Sequence, residues 1–207
     1  MINKILGGIL EDIKNKKVID ESLRSKNITK SRKGKFSKYS DLFVGKRGIF
    51  SLLKYDMIIA CFGTLPGALG IFLRNIFFKL LFKKVGKNVN FGRNITIRHP
   101  NKIVIGDDVI IDDNCMLDAK GIDNNGIEIK NGVYIGRNSI LSVKNGDIVL
   151  EDNVNIGFNS EVFSASKVII GQNTLIAAYV YVIAGDHDYN LTEKPISEQE
   201  GISKGIN

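Results

Sequence analysis

Lys130–Ser139 (KNGVYIGRNS), Glu151–Ser160 (EDNVNIGFNS) and Gly171–Val180 (GQNTLIAAYV) repeat one phrase at intervals of 21 and 20 residues. Outward from these phrases, apolar residues recur every six positions in groups of three. The groups are Val85, Phe91, Ile97; Ile105, Ile111, Leu117; Ile129, Ile135, Leu141; Leu150, Ile156, Val162; and Ile170, Ile176, Val182. The next residue is often Gly or acidic, as in Gly86, Gly106, Asp112, Gly136, Glu151 and Gly157. Four positions after the apolar residue stands a small or β-branched one, such as Val89, Cys115, Val133, Ser139 or Ser160. A period of six is neither the helical period nor strand alternation. A triangular coil accounts for it. Each side is one short strand, the apolar residue points into the prism, and the chain turns at Gly, Asp or Asn. Group starts lie 20, 24, 21 and 20 residues apart, so each coil adds a bulge or loop to its three sides. Stacked coils pair their strands in parallel at about 4.8 Å, and stability comes from the stacking. The sequence therefore predicts an all-β fold, a parallel β-helix over residues 85–185, preceded by a helical segment.

The rest of the chain differs. Its 207 residues, 43% hydrophobic and 25% charged, have globular proportions. The net charge of +7 divides unevenly: residues 1–84 carry 18 Lys and Arg against 6 Asp and Glu, residues 85–207 carry 11 against 16. A basic front end suggests an anionic surface. Nucleic acid is excluded as a partner, because the charges are diffuse and no binding motif accompanies them. Residues 1–48 read as a short helix and a flexible basic stretch. Within 49–84, the run Met57–Leu73 has 17 residues without a charge, near the lower limit for a bilayer span. Pro66, with Gly63, Gly67 and Gly70, breaks it into two amphipathic helices, around 50–62 and 68–84. Arg74, Lys79, Lys83 and Lys84 beside Phe and Leu suit a helix lying in the membrane interface; a cap packed on the β-helix fits the same pattern. Cys61 and Cys115 form no spaced framework, and the opening apolar run is too short for a secretory signal. The expected place is cytoplasmic, at the inner face of the membrane if residues 49–84 bind it.

The chain has two histidines, His99 and His187. His187 stands in IAGDHDYN, where the rhythm breaks after Val182 into a polar loop flanked by Asp186 and Asp188. From the residues alone, a surface histidine in an acidic loop and an imidazole base are both open readings. His99, in IRHPNK before Pro100, reads as a corner residue. Cys115 fills a small internal slot and reads as packing. Phe158, Phe163, Tyr179 and Tyr181 read as outward packing at a protomer contact.

The strings KVGKNVNFGRNITIRHP (84–100), IGDDVIIDDNCMLDAKG (105–121), IGFNSEVFSAS (156–166) and LIAAYVYVIAGDHDYN (175–190) resemble the hexapeptide-repeat acyltransferases, most of all bacterial sugar O-acetyltransferases. The resemblance implies a left-handed coil, a homotrimer, acetyl-CoA as acyl donor without a metal, and as acceptor a saccharide hydroxyl in surface-polysaccharide biosynthesis, a lipid-linked saccharide being one form of it. It places the catalytic base on His187, acting by direct transfer, with Asp186 and Asp188 in supporting or substrate-binding roles. In that family a phrase such as GISKGIN leads into further coils that carry much of the acetyl-CoA groove, whereas this sequence stops at Asn207. A non-catalytic scaffold or truncated remnant is therefore the alternative expectation. A zinc enzyme of the carbonic anhydrase type needs three histidines per protomer, one more than the chain has.

Overall fold

The structure is a computed structural model, and it describes residues 34–121, 123–187, 192–193, 195, 199 and 201–207. Of the short helix and basic stretch expected over residues 1–48, residues 1–33 lie outside the described residues, and helical turns occupy Lys35–Tyr39 and Ser40–Val44. The chain divides into two units, Met1–Tyr39 and Ser40–Asn207. In the first, the described element is α1, Lys35–Tyr39.

In the second unit a π-helical turn, Ser40–Val44, precedes α2, Ile49–Phe62, and α3, Gly67–Phe77, which tightens into a 3-10 turn at Phe78–Leu80. The break falls where Gly63 and Pro66 predict it, with Pro66 in extended backbone as the residue before α3. The second helix stops short of residue 84 because Lys84–Val85 already pairs with Val104–Ile105. Tertiary strand pairing here overrides a helical pattern.

Fifteen short strands then wind through three parallel sheets in strict rotation. The first sheet stacks Lys84–Val85, Ile103–Ile105, Ile127–Ile129, Asp147–Leu150 and Lys167–Ile170. The second stacks Asn90–Phe91, Ile110–Ile111, Tyr134–Ile135, Asn155–Ile156 and Leu175–Ile176. The third stacks Thr96–Arg98, Met116–Asp118, Ile140–Val143, Glu161–Ser164 and Tyr181–Ala184. Five coils of a left-handed parallel β-helix result.

Register follows the six-residue spacing throughout. Val85, Ile105, Ile129, Leu150 and Ile170 stand in line, as do Phe91 to Ile176 and Ile97 to Val182. In the middle coils these side chains are sealed: Ile111, Leu117, Ile135, Leu141 and Ile156 have no exposure. Burying each stabilises the prism by roughly 1.5–3 kcal/mol. The small slots fill the remaining space. Where a serine occupies one it is hydrogen-bonded to the next coil: Ser139 Oγ donates to Gly157 O (3.1 Å) and Ser160 Oγ to Ala177 O (3.1 Å), so no lost bond offsets the burial.

Two corners are built from left-handed residues. One column is Asn88, Asp108, Gly132, Asn153 and Asn173; the other is Asn94, Asn114, Asn138, Asn159 and Tyr179, all with φ between 52° and 67°. Asn and Gly are the residues that tolerate this conformation. Successive amides bond up the columns, as Asn138 Nδ2 to Asn159 Oδ1 at 2.9 Å and Asn153 Nδ2 to Asn173 Oδ1 at 3.0 Å. Gly136 and Gly157 follow a different constraint. A Cβ on either would lie 2.6 or 2.5 Å from the backbone nitrogen of the next coil.

The extra residues gather at the third corner, where the third sheet hands on to the first. The 24-residue spacing comes from residues 119–126. Lys102 Nζ braces this loop through Gly121 O (2.8 Å) and Asn124 Oδ1 (2.7 Å), and Asp147 Oδ1 accepts from the Asn125 and Gly126 amides.

Candidate functional site

The same third corner, one coil past Glu161–Ser164, holds the predicted base. After Tyr181–Ala184 the chain leaves the solenoid, and Asp186–His187 pairs antiparallel with Gly201–Ile202, His187 opposite Gly201. This short ladder ties together the two residues that flank segment 188–200. Beyond it Ser203 Oγ donates to Ala184 O (3.0 Å). Ile206 then lies parallel to Val168, accepting from Ile169 N (2.9 Å) and donating to Lys167 O (2.8 Å). The chain thus re-enters the first sheet one rung above Lys167–Ile170. His187 and Asp186 stand in the backbone ladder at the neck of this excursion, and Asp188 lies outside the described residues.

His99 is engaged elsewhere. It is a left-handed corner residue of the first coil, φ 53°, and buried. Its amide donates to Phe43 O (2.7 Å), and its Nε2 meets Asp41 O at 2.9 Å. A carbonyl only accepts, so this pairing requires the proton on Nε2. Burial pushes the ring below the usual histidine value, and the bond to Asp41 opposes that shift. His99 is a structural pin between the π-helical turn and the first coil.

Cys115 is buried in the prism with Sγ 3.2 Å from Gly136 O, and burial pushes its thiol up to about 12. Such a thiol is no nucleophile at neutral pH. Cys61 is exposed on α2. Of the aromatics, Phe158 and Tyr179 meet edge-on with centroids 5.5 Å apart, and the Arg137 guanidinium lies 4.7 Å above Phe158. Tyr179 is 73% exposed and takes the place that Asn holds in the four coils below.

Arg74 departs from its expected place on an outward basic face. It is 2% exposed. Its Nε donates to Phe91 O (2.9 Å) and its Nη1 to Leu65 O (2.6 Å) and Phe62 O (3.3 Å). It therefore pins both helices to the first coil. Gly70, four residues earlier, is the signal in the sequence. A Cβ there would stand 2.0 Å from Leu65 O and 3.0 Å from Arg74 Nη1. A cleft of about 310 Å³ beside Arg74 is lined by Ile71, Asn90, Arg93, Ile110 and Asp112. It belongs to the first two coils, whereas His187 follows the fifth. Among the described residues no group of His, Cys, Asp and Glu could hold a metal ion.

No family model matches the chain, and no curated protein matches it. Solved structures do. A galactoside acetyltransferase in complex with coenzyme A is similar at TM-score 0.52 and 22% identity, over 61% of this chain and 67% of that one. A hexapeptide-repeat acetyltransferase from Vibrio cholerae O1 biovar eltor, complexed with acetyl coenzyme A, is similar at TM-score 0.50 and 18% identity, over 62% and 76%. The fold of this chain is therefore that of the hexapeptide-repeat β-helix acetyltransferases.

Proposed function

We propose that the protein is a CoA-dependent O-acyltransferase that carries an acyl group, acetyl foremost, from acetyl-CoA to a hydroxyl of a saccharide used in surface-polysaccharide synthesis. A fold hosts many chemistries, so the shared β-helix raises this reading without carrying it. The observation that carries it is that His187 stands in IAGDHDYN (183–190), the phrase that resembles the loop of the sugar O-acetyltransferases, while His99, the other histidine, is buried and bonded to backbone. The His187 backbone stands at the neck of the excursion from the fifth coil.

In this reading the His187 imidazole takes the acceptor hydroxyl proton as the oxygen attacks the thioester carbonyl. The tetrahedral intermediate collapses, the C–S bond breaks, and the protonated ring returns its proton to the departing CoA thiolate. An imidazole near neutrality suits both steps. Asp186 or Asp188 would favour the protonated ring by charge, or bind acceptor hydroxyls. A homotrimer is the assembly this reading implies, and light scattering of the purified chain checks it. Equilibrium dialysis against coenzyme A tests the proposal. Saturable binding supports an acyltransferase, and none at millimolar ligand supports the scaffold.

A further inference from the structure

The helical pair carries an apolar surface that the β-helix leaves uncovered. On α2 the residues Phe50, Leu53 and Met57 are 86%, 53% and 66% exposed. Their spacing of three and four puts them on one helix face. On α3, Leu69, Phe72 and Ile76 repeat that spacing at 66%, 61% and 46% exposure. The opposite faces are occupied. Leu52, Tyr55 and Ile58 of α2 are buried, with the Tyr55 hydroxyl donating to Ile97 O, and Gly70 and Arg74 of α3 are buried against the first coil. The helices also hold each other through stacked Phe62 and Phe77 rings, 4.1 Å between centroids. The two outward rows therefore both face away from the solenoid.

Charge decides what covers this face. Lys46, Lys54, Lys79, Lys83 and Lys84, on the two helices or next to them in the chain, are exposed, and Lys54 Nζ reaches Leu80 O at 2.8 Å. Across residues 42–84 the one acid is Asp56, which is half-buried. A second copy docked face to face would set these five lysines against their own kind, with Asp56 the one acid of each segment to oppose them. An anionic lipid surface complements them, and its headgroup boundary accepts the apolar rows. Spanning is ruled out by length. With 14 and 11 residues, α2 and α3 are roughly 21 and 16 Å long, against a hydrocarbon core of about 30 Å.

We infer that α2 and α3 form a peripheral membrane anchor, lying flat in the headgroup region of an anionic bilayer with Phe50, Leu53, Met57, Leu69, Phe72 and Ile76 inserted and the lysines at lipid phosphates. The inference is independent of acyl transfer, and its test reads no activity. The full chain is sedimented with vesicles of phosphatidylcholine alone and of phosphatidylcholine mixed with phosphatidylglycerol, beside Phe50→Ser/Phe72→Ser and Lys79→Glu/Lys83→Glu/Lys84→Glu. Far-UV circular dichroism checks that each variant keeps the β-helix. The expected result is binding to the mixed vesicles that salt weakens and that each variant weakens by at least about tenfold. Absence of binding to the mixed vesicles overturns the inference, as does binding that neither variant weakens. Self-association without lipid, abolished by Phe50→Ser/Phe72→Ser, assigns the face to a second copy and overturns it equally.

Discussion

The left-handed corner column makes a quantitative prediction at Asn138. Its φ is 60°, and its Nδ2 bonds Asn159 Oδ1 at 2.9 Å in an exposed position. Alanine there loses this bond, worth about 0.5 kcal/mol at the exposed end of the range. It also meets the Cβ clash of left-handed backbone, which costs roughly 1–2 kcal/mol and which asparagine partly escapes. The sum for Asn138→Ala is a loss of about 1.5 kcal/mol. Asn138→Gly loses the same bond but removes the clash, and the added freedom of the unfolded chain costs about 0.5–1 kcal/mol. Relief of the residual clash offsets part of this, so glycine loses about 0.75 kcal/mol, about half the loss for alanine. Gly132 already holds the matching place in the other column, with φ 67°. For a chain of this size 1 kcal/mol moves the melting temperature by about 2–4 °C. Thermal unfolding followed by circular dichroism, at one protein concentration, should show a fall of about 3–6 °C for alanine and about 1.5–3 °C for glycine. Equal losses, or a larger loss for glycine, refute the corner account.

Further predictions concern the buried groups. In the folded protein at pH 8, a thiol reagent should label exposed Cys61 and leave Cys115, pushed up to about 12, until denaturant is added; rapid labelling of both contradicts the buried slot. The His99 ring titrates below its ordinary value when folded, so the unfolded state binds the proton more readily. The stability that this group contributes is full above the ordinary value of about 6.5 and is lost as pH falls through the depressed folded value. His99→Gln should therefore flatten the stability profile on the acid side of neutrality, and an unchanged slope contradicts the assignment. Arg74→Met leaves three backbone carbonyls without their donor and should cost about 3 kcal/mol. Arg74→Lys should restore little of it, because a point charge cannot reach the Phe91 and Leu65 carbonyls as a guanidinium does; full rescue by lysine would contradict the fork geometry.

How much of this was legible in the sequence varies with how local its cause is. The fifteen inward residues from Val85 to Val182 repeat because each coil buries the same three positions, and their register was readable directly. The corners were readable as Gly, Asp or Asn. The left-handed geometry of Asn138 and its column is not legible locally, since the amide ladder joins residues about twenty apart. The helices were located by Gly63 and Pro66, but the end of α3 depends on pairing between Lys84–Val85 and Val104–Ile105, a contact without a local signature. Arg74 reads as a surface cation because a lone charge in an apolar helix looks the same whether its fork faces water or three carbonyls, and Gly70 marks a close approach without naming its partner. His187 sits where the rhythm breaks, and a break marks a loop without stating its chemistry. The role proposed for it rests on the family-like phrase around it.

The most direct test of the account is transfer itself. Acetyl-CoA and a panel of saccharides are incubated with the native chain and with His187→Ala, and acetylated products are read by mass spectrometry. The account predicts acetylation by the native chain and a fall of at least about 100-fold in His187→Ala, with circular dichroism unchanged. Transfer that survives the substitution would show that another group is the base, and silence from the native chain across the panel would contradict the enzyme reading.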